Sequence, residues 1–299
     1  MDQDRLEARC QRNTPSRCTS LAPYRFMKKI AFIGGGHIAQ AMINGLIQSS
    51  FKPANICVSN PTLTKLREFL VKTKVRSTTN NKFAVKNADI VFITVRPTVV
   101  KHVINEIKES VTSRMVIVSV AACIDFALLN RYFDGNVVKL MRIMPNIPVK
   151  EKKGVIGLIA GSAVTLREKA TVTNLLESLG LIVECTNEKL LDKLSLISGC
   201  GPGVTAFLID TLENEARLMG FSEAAAEKIA VKTFEGTIAH LLHHKRSPQT
   251  LVKEVATPGG ITEKIIQSLS SGYPQLLRKS LKSGYDRITS ITKELKEQS

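Results

Sequence analysis

The stretch KIAFIGGGHIA, residues 29–39, decides how the rest of the chain is read. Residues 29–33 are a short apolar run of strand composition, and an amphipathic helical pattern runs from Ile38 to about Ser49. Between them lies G-x-G-x-x-A. Strand, glycine turn and helix, in that order, form the context in which this spacing signals a dinucleotide site. Gly34 permits the tight turn, Gly36 lets the backbone approach a pyrophosphate, and Ala39 lets helix and strand pack closely. The helix N-terminus offers free N–H groups to the anion.

Working outward, further strand-like runs at 56–59, 90–94, 115–119 and 137–141 alternate with helical patterns. This alternation predicts a parallel, doubly wound α/β sheet of the Rossmann type. Two more strands, 154–159 and 181–185, flank a helix at 166–179. The tips TVRP (94–97), SVAAC (119–123) and RIMPNIP (142–148) lie where ligands of such sheets sit, beyond the carboxyl ends of the strands. The second strand should end in an acid if it is to meet a free ribose 2′-hydroxyl. Here it ends Ser59-Asn60-Pro61, no Asp or Glu occurs between Gly36 and Glu68, and Lys65 and Arg67 follow. Hydroxyl, amide and cationic groups suit a 2′-phosphate, so the expected cofactor is NADP(H) rather than NAD(H).

At 299 residues the chain has room for two compact domains. With 43% apolar and 23% charged residues it is ordinary for a globular protein, and no apolar run approaches the length of a bilayer span. The cysteines Cys10, Cys18, Cys57, Cys123, Cys185 and Cys200 show no CxxC pair and no metal-ligand spacing, which points to reduced thiols in a cytoplasmic setting. A net charge of +16 could attract anionic small molecules. Nucleic acid is not the expected partner, because Lys and Arg are spread along the chain, Trp is absent, and no basic stretch interleaves with aromatics. Residues 1–26 mix acids with arginines and lack an apolar core, so they read as a disordered extension or an over-long start rather than a targeting signal.

From Thr186 the apolar period changes to that of helices, giving a dinucleotide domain at 27–185 and a helical domain at 186–299. Helical runs are predicted at 188–198, 204–219, 223–242 and 248–255, with one more from Gly260 and a last from Pro274 to Lys296. Such a unit has little room for a closed core, so it is expected to bury its apolar stripes against a second copy as a homodimer, with a higher oligomer of dimers left open. Gly199-Cys-Gly-Pro-Gly203 imitates the first turn, but helix precedes it and Pro202 lacks an N–H, so it is a helix junction. His240 and His244 share a helical face without a third ligand, so no metal site is expected.

The segment TPGGIT, 257–262, breaks this helical array and opens directly into another helix. Bare N–H groups of Gly259 and Gly260 at a helix start, with the Thr257 hydroxyl, would form an anion nest. With the 34–39 turn, Val95-Arg96-Pro97 and MPNIP (144–148), this segment resembles the pyrroline-5-carboxylate reductase family over about 28–292. The resemblance implies reduction of the cyclic imine 1-pyrroline-5-carboxylate to L-proline with NADPH or NADH, and no membrane or nucleic-acid partner. It implies substrate contacts at Thr257, Gly259, Gly260 and Asn146, with Thr262 catalytic, facing the ring nitrogen. Cofactor contacts would come from Ile33, Gly34, Gly35, Gly36, His37, Ile38 and Ala39 in the first turn. Ser59, Asn60 and Asn81 would serve the adenosine end, and Thr94, Val95, Arg96, Pro97, Ala121 and Ala122 the two following tips.

Several positions depart from the family pattern: Arg96 replaces lysine, Ile147 threonine, Cys123 glycine and Thr257 serine, and CGPGV at 200–204 replaces Ser-Gly-Pro-Ala-Tyr. A paralogue acting on a related cyclic imine stays open. A hydroxyacid or phosphogluconate-type dehydrogenase shares the layout but resembles a family that uses a lysine on the interdomain helix, and residues 204–216 contain none. A non-enzymatic NADP sensor would have no use for the TPGGIT segment.

Overall fold

The computed structural model describes residues 28–298, so the reading of residues 1–26 lies outside the described residues. An eight-stranded sheet runs in the order β3-β2-β1-β4-β5-β6-β7-β8. Its strands are β1 (Ile30–Ile33), β2 (Ile56–Ser59), β3 (Arg76–Thr78), β4 (Ile90–Ile93), β5 (Val116–Ser119), β6 (Lys139–Pro145), β7 (Gly154–Ala160) and β8 (Gly180–Glu184). Successive side chains of a strand point to opposite faces, and each face has its own core. Ile30 and Phe32 of β1 pack on one side with Ile90 and Phe92 of β4, while Ala31, Ile33, Val91 and Ile93 pack on the other. Both faces are covered, which is why these strands are apolar throughout.

On the first face lie α1 (His37–Gln48), through Ala39, Met42, Ile43 and Leu46, and α6 (Leu166–Glu177), through Val172, Leu175 and Leu176. The α2 helix (Arg67–Thr73) and α3 (Asn81–Val85) join β2, β3 and β4. On the second face lie α4 (Pro97–Ile107) and α5 (Phe126–Tyr132). The helical half comprises α7 (Glu188–Leu194), a π-turn at Ser195–Gly199, α8 (Gly201–Leu218), α9 (Glu223–His244), α10 (Pro248–Val255) and α11 (Ile261–Glu297). The end of α11 returns to the sheet, where Ile288, Ile291 and Leu295 pack on the second-face core.

Three expectations need correction. The sheet is not wholly parallel: β6 and β7 pair antiparallel. The link 146–153 holds only a 3₁₀ turn, too short for the crossover that a parallel neighbour requires. The strand predicted at 137–141 begins two residues later and continues to Pro145, because Arg142 sits inside it rather than ending it. Pro274 does not begin a helix; it lies within the 37 residues of α11. Its ring displaces one backbone bond, and the carbonyl four residues back, on exposed Ser270, can be satisfied by solvent. The three-residue edge strand β3, RST, carries no apolar signal and was not foreseen.

The helical half is thinly packed. Among its large apolar side chains Phe207, Leu218, Met219, Ile238, Leu242 and Ile261 are exposed, Phe207 by 66%. The continuous helical run Glu188–Leu218 is long and apolar enough to cross a bilayer. Its start, however, is tied to the sheet: Glu188 and Asp192 accept hydrogen bonds from Arg142 at 2.6 and 3.2 Å.

Candidate active site

The tips of β1, β2 and β4 are stitched together around the 34–39 turn. Gly34 N–H donates to the Ser59 carbonyl at 2.8 Å, joining β1 to β2. From β4, the Thr94 hydroxyl donates between the Ile33 and Gly34 carbonyls, 3.0 and 2.7 Å away. Gly34 has φ +100°, and a Cβ there would stand 2.7 Å from Val95 Cγ1 and 2.9 Å from the Thr94 carbonyl oxygen. Only glycine fits this corner. Gly35 is covered by Leu66, which would collide with any side chain there. Gly35 N–H donates to Asn60 Oδ1 at 3.1 Å, and its carbonyl accepts from Gln40 Nε2 at 2.8 Å.

Gly36 differs from its neighbours. It is the N-cap of α1, no side chain caps it, and a Cβ added there would meet nothing within 4 Å. The first bond inside the helix is Gln40 N–H to the Gly36 carbonyl, so the N–H groups of His37, Ile38 and Ala39 have no intrahelical acceptor. The result is an open, positively polarised helix start fixed from behind by three strands, which suits a pyrophosphate.

Beside it, buried Ser59 donates to Asn81 Oδ1 at 2.6 Å, and Asn81 Nδ2 donates to Glu106 of α4. Asn60 braces the loop, accepting from Gly35 and donating to the Thr62 carbonyl at 3.0 Å. Lys65 and Arg67 are exposed on either side of buried Leu66. The next tip turns into α4 with Arg96 exposed at the N-cap and Pro97 in the first turn. The following tip keeps Ala121 buried and Ala122 half-buried. Cys123 adopts φ +64°, the left-handed region that explains a glycine preference there. Burial, and behind it the charge of Asp192, pushes the Cys123 thiol up from its ordinary range.

Asn146 is buried with both ends of its amide engaged. Nδ2 donates to the Ser198 carbonyl at 2.9 Å, and Oδ1 accepts from Val155 N–H at 2.8 Å. It therefore fastens β6 and β7 to the π-turn that leads into α8.

The 257–262 corner is built otherwise than expected. Its glycine N–H groups are not bare: Gly260 N–H donates to the Thr257 carbonyl at 2.9 Å, and Gly259 N–H donates to the Glu263 carboxylate at 2.8 Å. Gly259, at φ +75°, makes the corner, and Thr257 Oγ1 lies where a Gly260 Cβ would come within 2.6 Å of it. Gly260 is an N-cap without a side-chain cap, and the first intrahelical bond is Lys264 N–H to the Gly260 carbonyl. The donors without an intrahelical acceptor are thus Ile261, Thr262 and Glu263. Among the described residues no hydrogen bond or ion pair joins this corner to the 34–39 turn. Sequence reasoning missed Gln40 and Glu106, which carry no local signal. It also missed Glu263, whose place three residues after the cap is the capping-box position.

Comparison with known proteins finds relatives for both halves of the chain. Residues 29–123 match a family model described as NADP oxidoreductase coenzyme F420-dependent, and residues 188–291 match one described as pyrroline-5-carboxylate reductase dimerisation. Pyrroline-5-carboxylate reductase 3 of Danio rerio is 34% identical over 85% of this chain and 88% of its own length. The pyrroline-5-carboxylate reductase of Corynebacterium melassecola is 30% identical over 81% of this chain and 90% of its own. Among solved structures, a pyrroline-5-carboxylate reductase from Coxiella burnetii superposes with a TM-score of 0.80 at 31% identity, covering 90% of this chain and 99% of that one. The Plasmodium falciparum pyrroline carboxylate reductase with NADP bound shares the fold, with a TM-score of 0.79 at 23% identity over 89% of this chain and 98% of that one. With such identity across both halves of the chain, the protein belongs to the pyrroline-5-carboxylate reductase family.

Proposed function

We propose that this chain reduces 1-pyrroline-5-carboxylate to L-proline with NADPH as the preferred donor. The observation that carries the reading is the 257–262 corner, which already holds a carboxylate: that of Glu263 on Gly259 N–H. A helix start that binds a carboxylate of its own chain can bind that of a small cyclic acid, using the free N–H groups of Ile261 and Thr262 and the Thr257 hydroxyl. The dinucleotide fits the other turn, where the uncapped start of α1 and the open space over Gly36 leave room for a pyrophosphate. The first-turn residues Ile33 to Ala39, with Thr94 to Pro97, Ala121 and Ala122, would hold it, and Ser59, Asn60 and Asn81 would serve its adenosine end.

When bound, the dihydronicotinamide supplies a hydride to the imine carbon. An iminium is already electrophilic, so the chain's own task is positioning and exclusion of water. Thr262 shares a hydrogen bond with the ring nitrogen as it becomes an amine, and the corner fixes the ring through its acid group. No lysine lies on α8, which sets aside the proton abstraction that a hydroxyacid dehydrogenase needs.

Two copies make the working unit in this reading. The exposed apolar residues of α8, α9 and α11 need cover, and the match of residues 188–291 to a dimerisation model supports a homodimer. A partner's corner then meets the 34–39 turn of the first copy. Residues 27–185 serve the dinucleotide and 186–299 the substrate and the partner. The unpaired cysteines Cys57, Cys123, Cys185 and Cys200 fit a reducing, cytoplasmic setting.

The test is loss of dihydronicotinamide absorbance with pyrroline-5-carboxylate, beside a six-membered imine acid and an unsubstituted pyrroline. Turnover should be highest with the first, and Thr262→Val should cut it while leaving NADPH affinity near wild type. No turnover with any of the three would overturn the assignment.

A further inference from the structure

The acid that β2 lacks at its tip stands nearby on another helix, linked to the tip through Asn81. Ser59, at 1% exposure, spends its hydroxyl proton on Asn81 Oδ1 at 2.6 Å. That bond sets the amide with Nδ2 on the far side, where the Glu106 carboxylate accepts from it. A carboxylate can only accept, so the two partners together forbid a flip of Asn81. The second Glu106 oxygen lies 3.0 Å from His102 Nε2, and the Glu106 side chain is 39% exposed. A half-exposed carboxylate is therefore held two hydrogen bonds from the end of β2, on an element that a search along β2 would never consult.

We propose that Glu106 sets the balance between dinucleotides with and without a 2′-phosphate. This rests on the reading above, in which Ser59 and Asn81 serve the adenosine ribose. Two effects follow from its place. Through Asn81 it is a positioning residue, fixing which amide hydrogen remains for the ribose. Through its charge it opposes a 2′-phosphate that exposed Lys65 and Arg67 would attract. Strand β2 carries no acid and so admits the phosphate, while Glu106 limits how strongly the phosphate is favoured. Measurable NADH binding by the wild type is expected for that reason.

Glu106→Gln separates the two effects, because glutamine keeps an acceptor oxygen for Asn81 Nδ2 and removes only the charge. Dissociation constants of the full-length variant for NADPH and NADH are measured by titration without any imine, so the result does not depend on turnover. The expected change is a shift of the NADH-to-NADPH ratio toward NADPH by about five-fold at low salt, shrinking as ionic strength rises. Glu106→Ala should show the same shift with both dinucleotides weakened, since Asn81 loses its orientation. A ratio in Glu106→Gln equal to wild type would overturn the inference, and so would a shift that salt leaves untouched. Dinucleotide binding by the wild type without imine turnover would overturn the proposed reaction alone. No dinucleotide binding by the wild type would overturn both.

Discussion

Gly34 and Gly36 stand two residues apart, and the structure assigns them opposite kinds of necessity. At Gly34 an alanine must adopt φ +100° with its Cβ 2.9 Å from the Thr94 carbonyl oxygen, which is backbone and cannot rotate away. Left-handed strain costs about 1–2 kcal/mol, and the enforced contact brings the loss to roughly 3 kcal/mol. For a cooperative unit the size of residues 28–185 that lowers Tm by about 6–12 °C. At Gly36 the backbone is ordinary, φ −68°, and the added methyl meets nothing within 4 Å. A poorer N-cap and a stiffer unfolded chain offset one another to within about 1 kcal/mol. The methyl does occupy the pyrophosphate's path, so NADPH affinity should fall about ten-fold or more, a loss of at least about 1.4 kcal/mol. Thermal unfolding and NADPH titration of Gly34→Ala and Gly36→Ala therefore give a crossed result. One variant loses stability together with affinity, and the other loses affinity alone. Wild-type NADPH affinity in Gly36→Ala would refute the placement of the pyrophosphate, and an equal drop in Tm for both would refute the account of the turn.

Three further outcomes are expected. Glu263→Gln removes a negative charge held on Gly259 N–H beside the acid subsite, so KM for pyrroline-5-carboxylate should fall about three-fold while KM for unsubstituted pyrroline stays put; equal changes in both would dissociate Glu263 from the acid subsite. Burial acts to raise the Asp125 carboxyl, but its bonds to Lys296 and to Leu128 N–H, with the Lys296 charge, outweigh it and hold the group below the usual range. A depressed folded pKa means stability that is full above the unfolded value and lost as pH falls through the folded one, so the deficit of Asp125→Asn in urea unfolding should be present at neutral pH and vanish in acid. Phe207→Glu puts a charge on an exposed apolar face of α8, and sedimentation should find monomers that have lost imine turnover; an unchanged mass would remove α8 from the subunit contact.

Much of the fold is legible because β1, β2, β4 and β5 are four-residue apolar runs closed by turn residues, a pattern that burial on both faces demands. Arg142 shows where that reasoning stops. A guanidinium inside a run looks like the end of a strand, yet Arg142 is 1% exposed within β6. Its charge is answered by Glu188 and Asp192 from α7, partners that no local window contains. Burying an arginine is tolerable only with such pairing, so the strand's extent depends on a helix far along the chain. The direction of β7 could have been inferred from the brevity of the 146–153 link. Pro274 could not: whether a proline ends a helix or sits within it depends on what surrounds the freed carbonyl.

The two glycine turns show why one site was readable and the other only in part. The 34–39 turn is embedded in the sheet, and every constraint on it is short in range or dictated by strand order. Gly34 meets Thr94 and Val95, Gly35 meets Leu66, and Gly36 is left open. A motif with that much support has one conformation whether or not a ligand is present, and residue types alone report it. The 257–262 corner has no sheet behind it. It is held by its own turn bond, by the Thr257 side chain over Gly260, and by Glu263. Gly259 N–H, just before the helix, takes the nearest acceptor, and in this chain that is a glutamate one turn away. Residue types can predict that a helix start will bind a carboxylate, but they cannot say that one is already there. A substrate acid on the Ile261 and Thr262 N–H groups must therefore bind beside the Glu263 charge, which makes repulsion by a tethered carboxylate part of the affinity for the imine.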